Sequence, residues 1–179
     1  MNASHILTVW FEELTPRQHF VKDPALDAAM LERFGATWEA ATRCELFSWR
    51  DTPHGRLAEI LLLDQFSRNM FRDTPRAFAQ DSLALVLAQE LVASGQDQRL
   101  TPAQRAFAYM PYMHSESALI HDQAVRLFSQ PGLDNNLSFE LRHKEIIDRF
   151  GRFPHRNDIL GRASSAPEIA FLAQPGSSF

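Results

Sequence analysis

Helix signals recur along this chain and strand signals do not. Runs of Val, Ile and Thr alternating with polar residues are absent, and Ala, Leu, Glu, Gln and Arg fill the long stretches, as helix propensity favours. Prolines stand directly behind cap residues, as at Asp23-Pro24, Thr52-Pro53 and Thr101-Pro102. The first turn of a helix accepts proline there, because that N–H has no intrahelical partner to lose.

These marks divide the chain. Asp23-Pro24 predicts a helix through about Thr42, with Leu26, Met30, Phe34, Trp38 and Ala41 as its apolar stripe. Gly35 weakens its middle by roughly 1 kcal/mol relative to Ala. Thr52-Pro53 opens a helix whose apolar face starts at Leu57 and runs to about Arg68. Asp81 or Ser82 starts another, with Leu83, Val86, Leu87 and Leu91 on one face, ending at Gly95. Thr101-Pro102 predicts a short helix to about Tyr109, which Pro111 should break. Ser115 is placed to cap a helix from Glu116 to Ser129, ended by Pro131-Gly132. Asn135, Asn136 or Ser138 begins the next, ended by Gly151. Ser165 with Glu168 three residues on reads as a capping box for a last short helix. The expected class is all-α: about eight helices in antiparallel pairs, one domain over residues 1–179, with a mobile tail from about Gln174.

Composition narrows function by exclusion. The formal charge is −4 and the pI about 6.0, so no global positive field recruits nucleic acid or an anionic membrane. The longest aliphatic run, Ile60 to Leu63, falls far short of the roughly 20 residues that cross a bilayer. The apolar stretch from Ile6 to Phe11 is too short for a secretory leader and has no Lys or Arg before it. The single cysteine, Cys44, makes no internal disulfide and reads as a small hydrophobe near a helix end. A soluble, cytoplasmic protein is expected, with Trp10, Trp38 and Trp49 in its core.

Three polar clusters interrupt the apolar stripes. In the first, Leu63 to Arg72, Asp64 and Arg68 share a helix face with Leu57 and Leu61 and are spaced to pair. Such a pair either pins a helix end or holds an arginine rigid towards an anionic ligand. In the second, His114 follows the expected proline break. A helix start there would disfavour imidazolium and leave a neutral imidazole. In the third, Arg149, Arg152, His155, Arg156 and Arg162 crowd around Gly151 and Pro154, as in a stiff loop that clamps phosphate or carboxylate. His143 extends this cluster on the stripe Phe139, Ile146, Ile147 and Phe150. Glu145 and Asp148 offer Arg149 and Arg152 local partners, and Glu140 offers one to Lys144. Glu140 and His143 have a di-iron Glu-x-x-His spacing in one copy only, and His121-Asp122 lacks the further ligands of a helical phosphohydrolase. A site of His114, Glu116 and His143 is the third metal option. All three are set aside, and no metal or cofactor is expected.

The runs LDQFSRNMFR, PYMHSE and RFGRFPHRNDILGR, in that order, together with the opening HILTVWF, resemble the bacterial domain-of-unknown-function family 924. The likeness covers about Ser4 to Leu172. Ser67 stands where the family usually has proline, and Ser165 where it often has threonine. The resemblance implies a tetratricopeptide-repeat-like superhelix of stacked helix pairs, and it implies no activity.

The functional expectation is that the three clusters converge in one cleft that binds an anionic small molecule, a carboxylate or a phosphate. His114 and His143 are the candidate acid–base groups. The candidate ligand-binding set is Asp64, Gln65, Arg68, Asn69, Glu116, Arg152, His155, Arg156, Asn157 and Arg162. The alternative is a peptide- or protein-binding helical scaffold without catalysis.

Overall fold

A computed structural model describes residues 1–177. Among them there is no strand, and the chain is all-α. Its helices are α1 (Ala3–Thr8), α2 (Pro16–Phe20), α3 (Pro24–Thr42), α4 (Pro53–Leu61), α5 (Ser67–Met70), α6 (Asp81–Ala93), α7 (Pro102–Met113), α8 (Ala118–Phe128), α9 (Asp134–Phe150) and α10 (Ala166–Leu172). The caps act as their residue types suggest. Asp23 accepts from the Ala25 and Leu26 N–H groups, and Thr52 from Gly55. Thr101 with Gln104, and Ser165 with Glu168, close reciprocal capping boxes. Of the tail expected to move from Gln174, residues 178–179 lie outside the described residues.

The fold is built around one rod. A π-turn over Leu62–Phe66 joins α4 to α5, and every residue from Leu57 to Phe71 is buried except Arg68. Helices α1, α6 and α7 pack against α4, and α3 packs against the π-turn and α5. The rod is buried nearly all round by the helices that enclose it, and it carries Glu59, Asp64, Gln65, Ser67 and Asn69 among its apolar residues. Leu57, Ile60, Leu61, Leu62, Leu63 and Phe66 fill the centre, with Trp10, Phe34 and Tyr109 around them. From α6 to α9 each helix packs on the next, because short connections force antiparallel neighbours. A smaller apolar cluster of Ile146, Ile147 and Phe153, backed by Phe150 and Phe171, seals the C-terminal end.

Several local expectations change. Pro111 does not break α7: the helix runs to Met113 with Pro111 inside it. Proline in the last turn forfeits only one backbone donor, and Pro111, Tyr112 and Met113 are all buried, so packing holds the turn. His114 is therefore the C-cap of α7, not a helix start, and the next helix begins after Ser117 rather than Ser115. On α6 the buried face is Ala84, Leu87, Ala88 and Leu91, and Val86 is exposed. Small residues on the inner side let α6 approach the rod closely. Cys44 is near a helix end but exposed, at φ 57°. Thr15-Pro16 starts a further short helix, α2, beyond those expected.

Polar groups inside a buried rod need partners. Ser67, where the resembled family usually has proline, accepts a 2.7 Å hydrogen bond from the Trp38 indole and donates one of 2.7 Å to the Leu63 carbonyl. Ser67→Ala would strand the Trp38 N–H in the core. It should cost about 1–3 kcal/mol, read as a lower urea midpoint at unchanged m-value.

Candidate functional site

The π-turn carries Asp64 and Gln65 inward together, both buried. The Asp64 carboxylate is fully enclosed. Its Oδ1 accepts from His114 Nδ1 at 2.7 Å and lies 3.0 Å from Arg68 Nη1, and its Oδ2 accepts from Gln65 Nε2 at 2.5 Å. Burial works against the charge, but Arg68, His114 and Gln65 outweigh it and hold the carboxyl well below its ordinary range. Arg68 then reaches α6, with Nη1 and Nη2 each 2.9 Å from the two oxygens of Asp81. Such two-pronged pairing is the strong form of a guanidinium–carboxylate contact.

This arrangement fixes the state of His114. Burial, and next the nearby Arg68 charge, lower its pKa against the pull of Asp64. The imidazole is neutral at pH 7, Nδ1 carries the proton donated to Asp64, and Nε2 keeps its lone pair. A carboxylate orienting the far nitrogen of a neutral histidine is the geometry of a general base. The helix dipole invoked from sequence has no part in this, since His114 closes a helix.

A cleft of about 270 Å³ opens beside this network, between the start of α6, the end of α7 and the C-terminal loop. Asp81, His114, Glu116 and Arg156 supply its charged or titratable lining, and Phe78 is among its apolar walls. Arg156 is only 5% exposed. Its guanidinium is gripped between Phe78, 4.6 Å from the ring centroid, and Phe153, 4.7 Å away. A single side-chain hydrogen bond ties it among the described residues, Nη1 to Asp81 Oδ2 at 3.1 Å, and its Nε has no partner there. Burial, and next the charge on Arg68, lower its pKa to about 10.

The other arginines of the C-terminal cluster are occupied. Arg162 grips both Glu116 oxygens, at 2.6 and 2.9 Å, and donates from Nε to Asn157. Glu116 also accepts from the Phe153 N–H at 2.7 Å, which fastens the loop to the segment after α7. Arg152 pairs with both oxygens of Glu168 and with the Ala163 carbonyl, and lines a separate depression with Arg149 and Phe150. Arg149 stacks on Phe150 and Phe171. The local partners expected for Arg149 and Arg152 on α9 are not used: α10 brings Glu168 to Arg152 and the Phe171 ring to Arg149, which also lies over its neighbour Phe150.

Phe153, fully buried, is the hub of three further histidines. The rings of His121, His143 and His155 lie 6.0, 5.8 and 5.7 Å from it. His143 Nδ1 bonds the Phe139 carbonyl at 2.8 Å. His121 donates from Nε2 to the Ser115 carbonyl and meets Glu140 through Nδ1 at 2.7 Å. Burial raises the Glu140 carboxyl, and the hydrogen bond from His121 works against that rise. Glu140 thus faces His121 rather than Lys144, which pairs with Asp122 and Asp148.

Of the sequence candidates, His114, Glu116 and Arg156 line the cleft, with Asp64, Arg68 and Gln65 behind them. Asn157 and Arg162 stand behind Glu116. His143, His155 and Arg152 are not in the lining, and Asn69 is buried beside the Arg72–Asp27 pair. Asp81 and Phe78 were missed. Asp81 had been read only as a helix start, and no spacing rule links it to Arg68 and Arg156. No group of three or more His, Cys, Asp or Glu able to hold a metal ion lies among the described residues. No helix among them is long and apolar enough to cross a membrane.

The family model described as a bacterial protein of unknown function (DUF924) matches residues 6–176. The chain is also similar to a solved structure from Agrobacterium tumefaciens, the protein of unknown function ATU0120. The two are 38% identical over 96% of each chain, with a TM-score of 0.90. No curated protein matches.

The buried histidines set a pH dependence. Unfolded, a histidine titrates near 6.5. Folded, burial and then Arg156 push His155 down to about 4, burial pushes His143 to about 3, and His114 is lowered as well. Between those values and pH 6.5 the unfolded chain binds protons that the folded chain refuses, so stability falls as pH drops. Glu140, raised by burial, opposes this singly. The melting midpoint should fall steadily from pH 7 to pH 5, and His143→Gln should flatten that fall. A midpoint constant across the range would contradict the assignment.

Proposed function

The chain belongs to the bacterial family of unknown function DUF924, and for this member we propose that the cleft binds the anionic group of a small molecule, a carboxylate or a phosphate. The observation that carries the reading is Arg156. A buried cation is costly unless paired. Here one 3.1 Å bond goes to an Asp81 carboxylate that Arg68 already holds with both prongs. Two aromatic rings fix the guanidinium in place, so little ordering is left for a ligand to impose. An anion in the cleft would supply the missing charge and acceptors.

His114 adds chemistry to binding. Its Nε2 lone pair can take a proton from a bound group, and Asp64 stabilises the imidazolium that results. Arg68 and Gln65 keep Asp64 ionised and aimed, and Arg162 with Asn157 holds Glu116 against the loop. The cleft lies below the roughly 300–1,000 Å³ of drug-sized sites, which favours a small metabolite over a peptide. The successive packing of α6 to α9 supports the tetratricopeptide-like superhelix implied by the resemblance. An unpaired, exposed Cys44 suits a reducing cytoplasm.

A thermal-shift titration with inorganic phosphate and short carboxylates tests the reading. A ligand at 100 times its Kd should stabilise by about 2.7 kcal/mol. Arg156→Met should abolish the shift while leaving the unliganded midpoint unchanged or higher, since Asp81 keeps Arg68. Arg68→Met should instead cost about 3–5 kcal/mol, because it leaves Asp64 and Asp81 short of a cation. Absence of any anion-induced shift in the unmutated protein would sink the proposal.

A further inference from the structure

We infer that the cleft selects a monoanionic carboxylate carrying an apolar body over a phosphate ester or a dianion, an inference that rests on the anion reading above. The argument starts from charge. Around the cleft stand three guanidinium groups, Arg68, Arg156 and Arg162, and three carboxylates, Asp64, Asp81 and Glu116. With His114 neutral, these sum to zero. One negative charge brought in by a ligand is offset when His114, which lines the cleft, takes one proton. A second negative charge meets no further cation, and Asp81 and Glu116 in the same walls repel it. Neither carboxylate is available to turn away, since Arg68 fixes Asp81 and Arg162 fixes Glu116 through both oxygens.

The walls supply the second half. Apart from the charged groups, the cleft is lined by Phe78, Leu85, Pro111 and Leu160, with Ser82 and Ser115 as its neutral polar side chains. Phe78 presents its ring to the Arg156 guanidinium. A carboxylate on Arg156 therefore places the atoms next to it against an aromatic and aliphatic surface. Burying that surface favours a hydrocarbon or aryl body over a hydrated one. A polyol phosphate would find partners in Ser82 and Ser115, but would set its remaining hydroxyl groups against leucine and proline.

Calorimetric and thermal-shift titrations of the full chain with benzoate, acetate, benzamide, phenyl phosphate and inorganic phosphate separate the possibilities. Benzoate should bind at least about tenfold more tightly than acetate or phenyl phosphate, a difference of about 1.4 kcal/mol. Benzamide, which has the ring without the charge, should give no shift. Leu160→Asn should weaken benzoate several-fold and leave acetate unchanged, and Arg156→Met should abolish both. If phenyl phosphate or inorganic phosphate binds as tightly as benzoate and depends on Arg156, the monoanion inference is overturned and the anion reading stands. Acetate equal to benzoate removes the apolar body. Benzamide equal to benzoate, or no binding by any anion, overturns both readings.

Discussion

One buried negative charge organises this molecule. Asp64 sits on the central rod with no solvent exposure, where an unpaired carboxylate would cost several kcal/mol. Its three side-chain partners come from two places: Arg68 and Gln65 from the rod, His114 from the end of α7. Holding that charge therefore fixes where α7 must end relative to the rod. It also directs Arg68 outward to Asp81, which draws in the first turn of α6. The cleft is the space left between elements that Asp64 has already placed.

The C-terminal loop closes the arrangement by different means. It contributes few regular backbone bonds and many side-chain ones. Arg162 to Glu116, Arg152 to Glu168 and the Phe153 N–H to Glu116 fasten it at separate points. Phe153 then fills the hollow between His121, His143 and Arg156. An arginine-rich loop on an acidic protein thus serves first to bind the chain to itself.

Local signals in the sequence carried the elements, and long-range pairing carried the site. Asp23-Pro24 set the start of α3 because a cap and a proline act within one turn. The face Leu57, Leu61, Asp64 and Arg68 was legible for the same reason. Pro111 misled, because its cost as a helix breaker was weighed without the burial of Tyr112 and Met113 around it. That error moved His114 from a helix end to a helix start and assigned its neutrality to a dipole, when burial and Arg68 cause it. Glu140 was given to Lys144 by i, i+4 spacing, while its partner His121 lies on α8. Asp81, 13 residues beyond Arg68, had no local mark as a site residue.

The arginines also show why a residue type alone does not name a ligand site. Arg68, Arg152 and Arg162 each meet a carboxylate with two nitrogens, and such a guanidinium has little left to offer. Arg156 differs in geometry, not in chemistry. Its guanidinium lies against the rings of Phe78 and Phe153, and burial leaves it little access to water. Its Nη1 meets one oxygen of a carboxylate shared with Arg68. Stability alone would favour an apolar side chain of similar shape at this position, since the pair returns little for the desolvation it requires. A guanidinium kept buried and half satisfied at the wall of a cleft is what supports the proposal that an anion binds there.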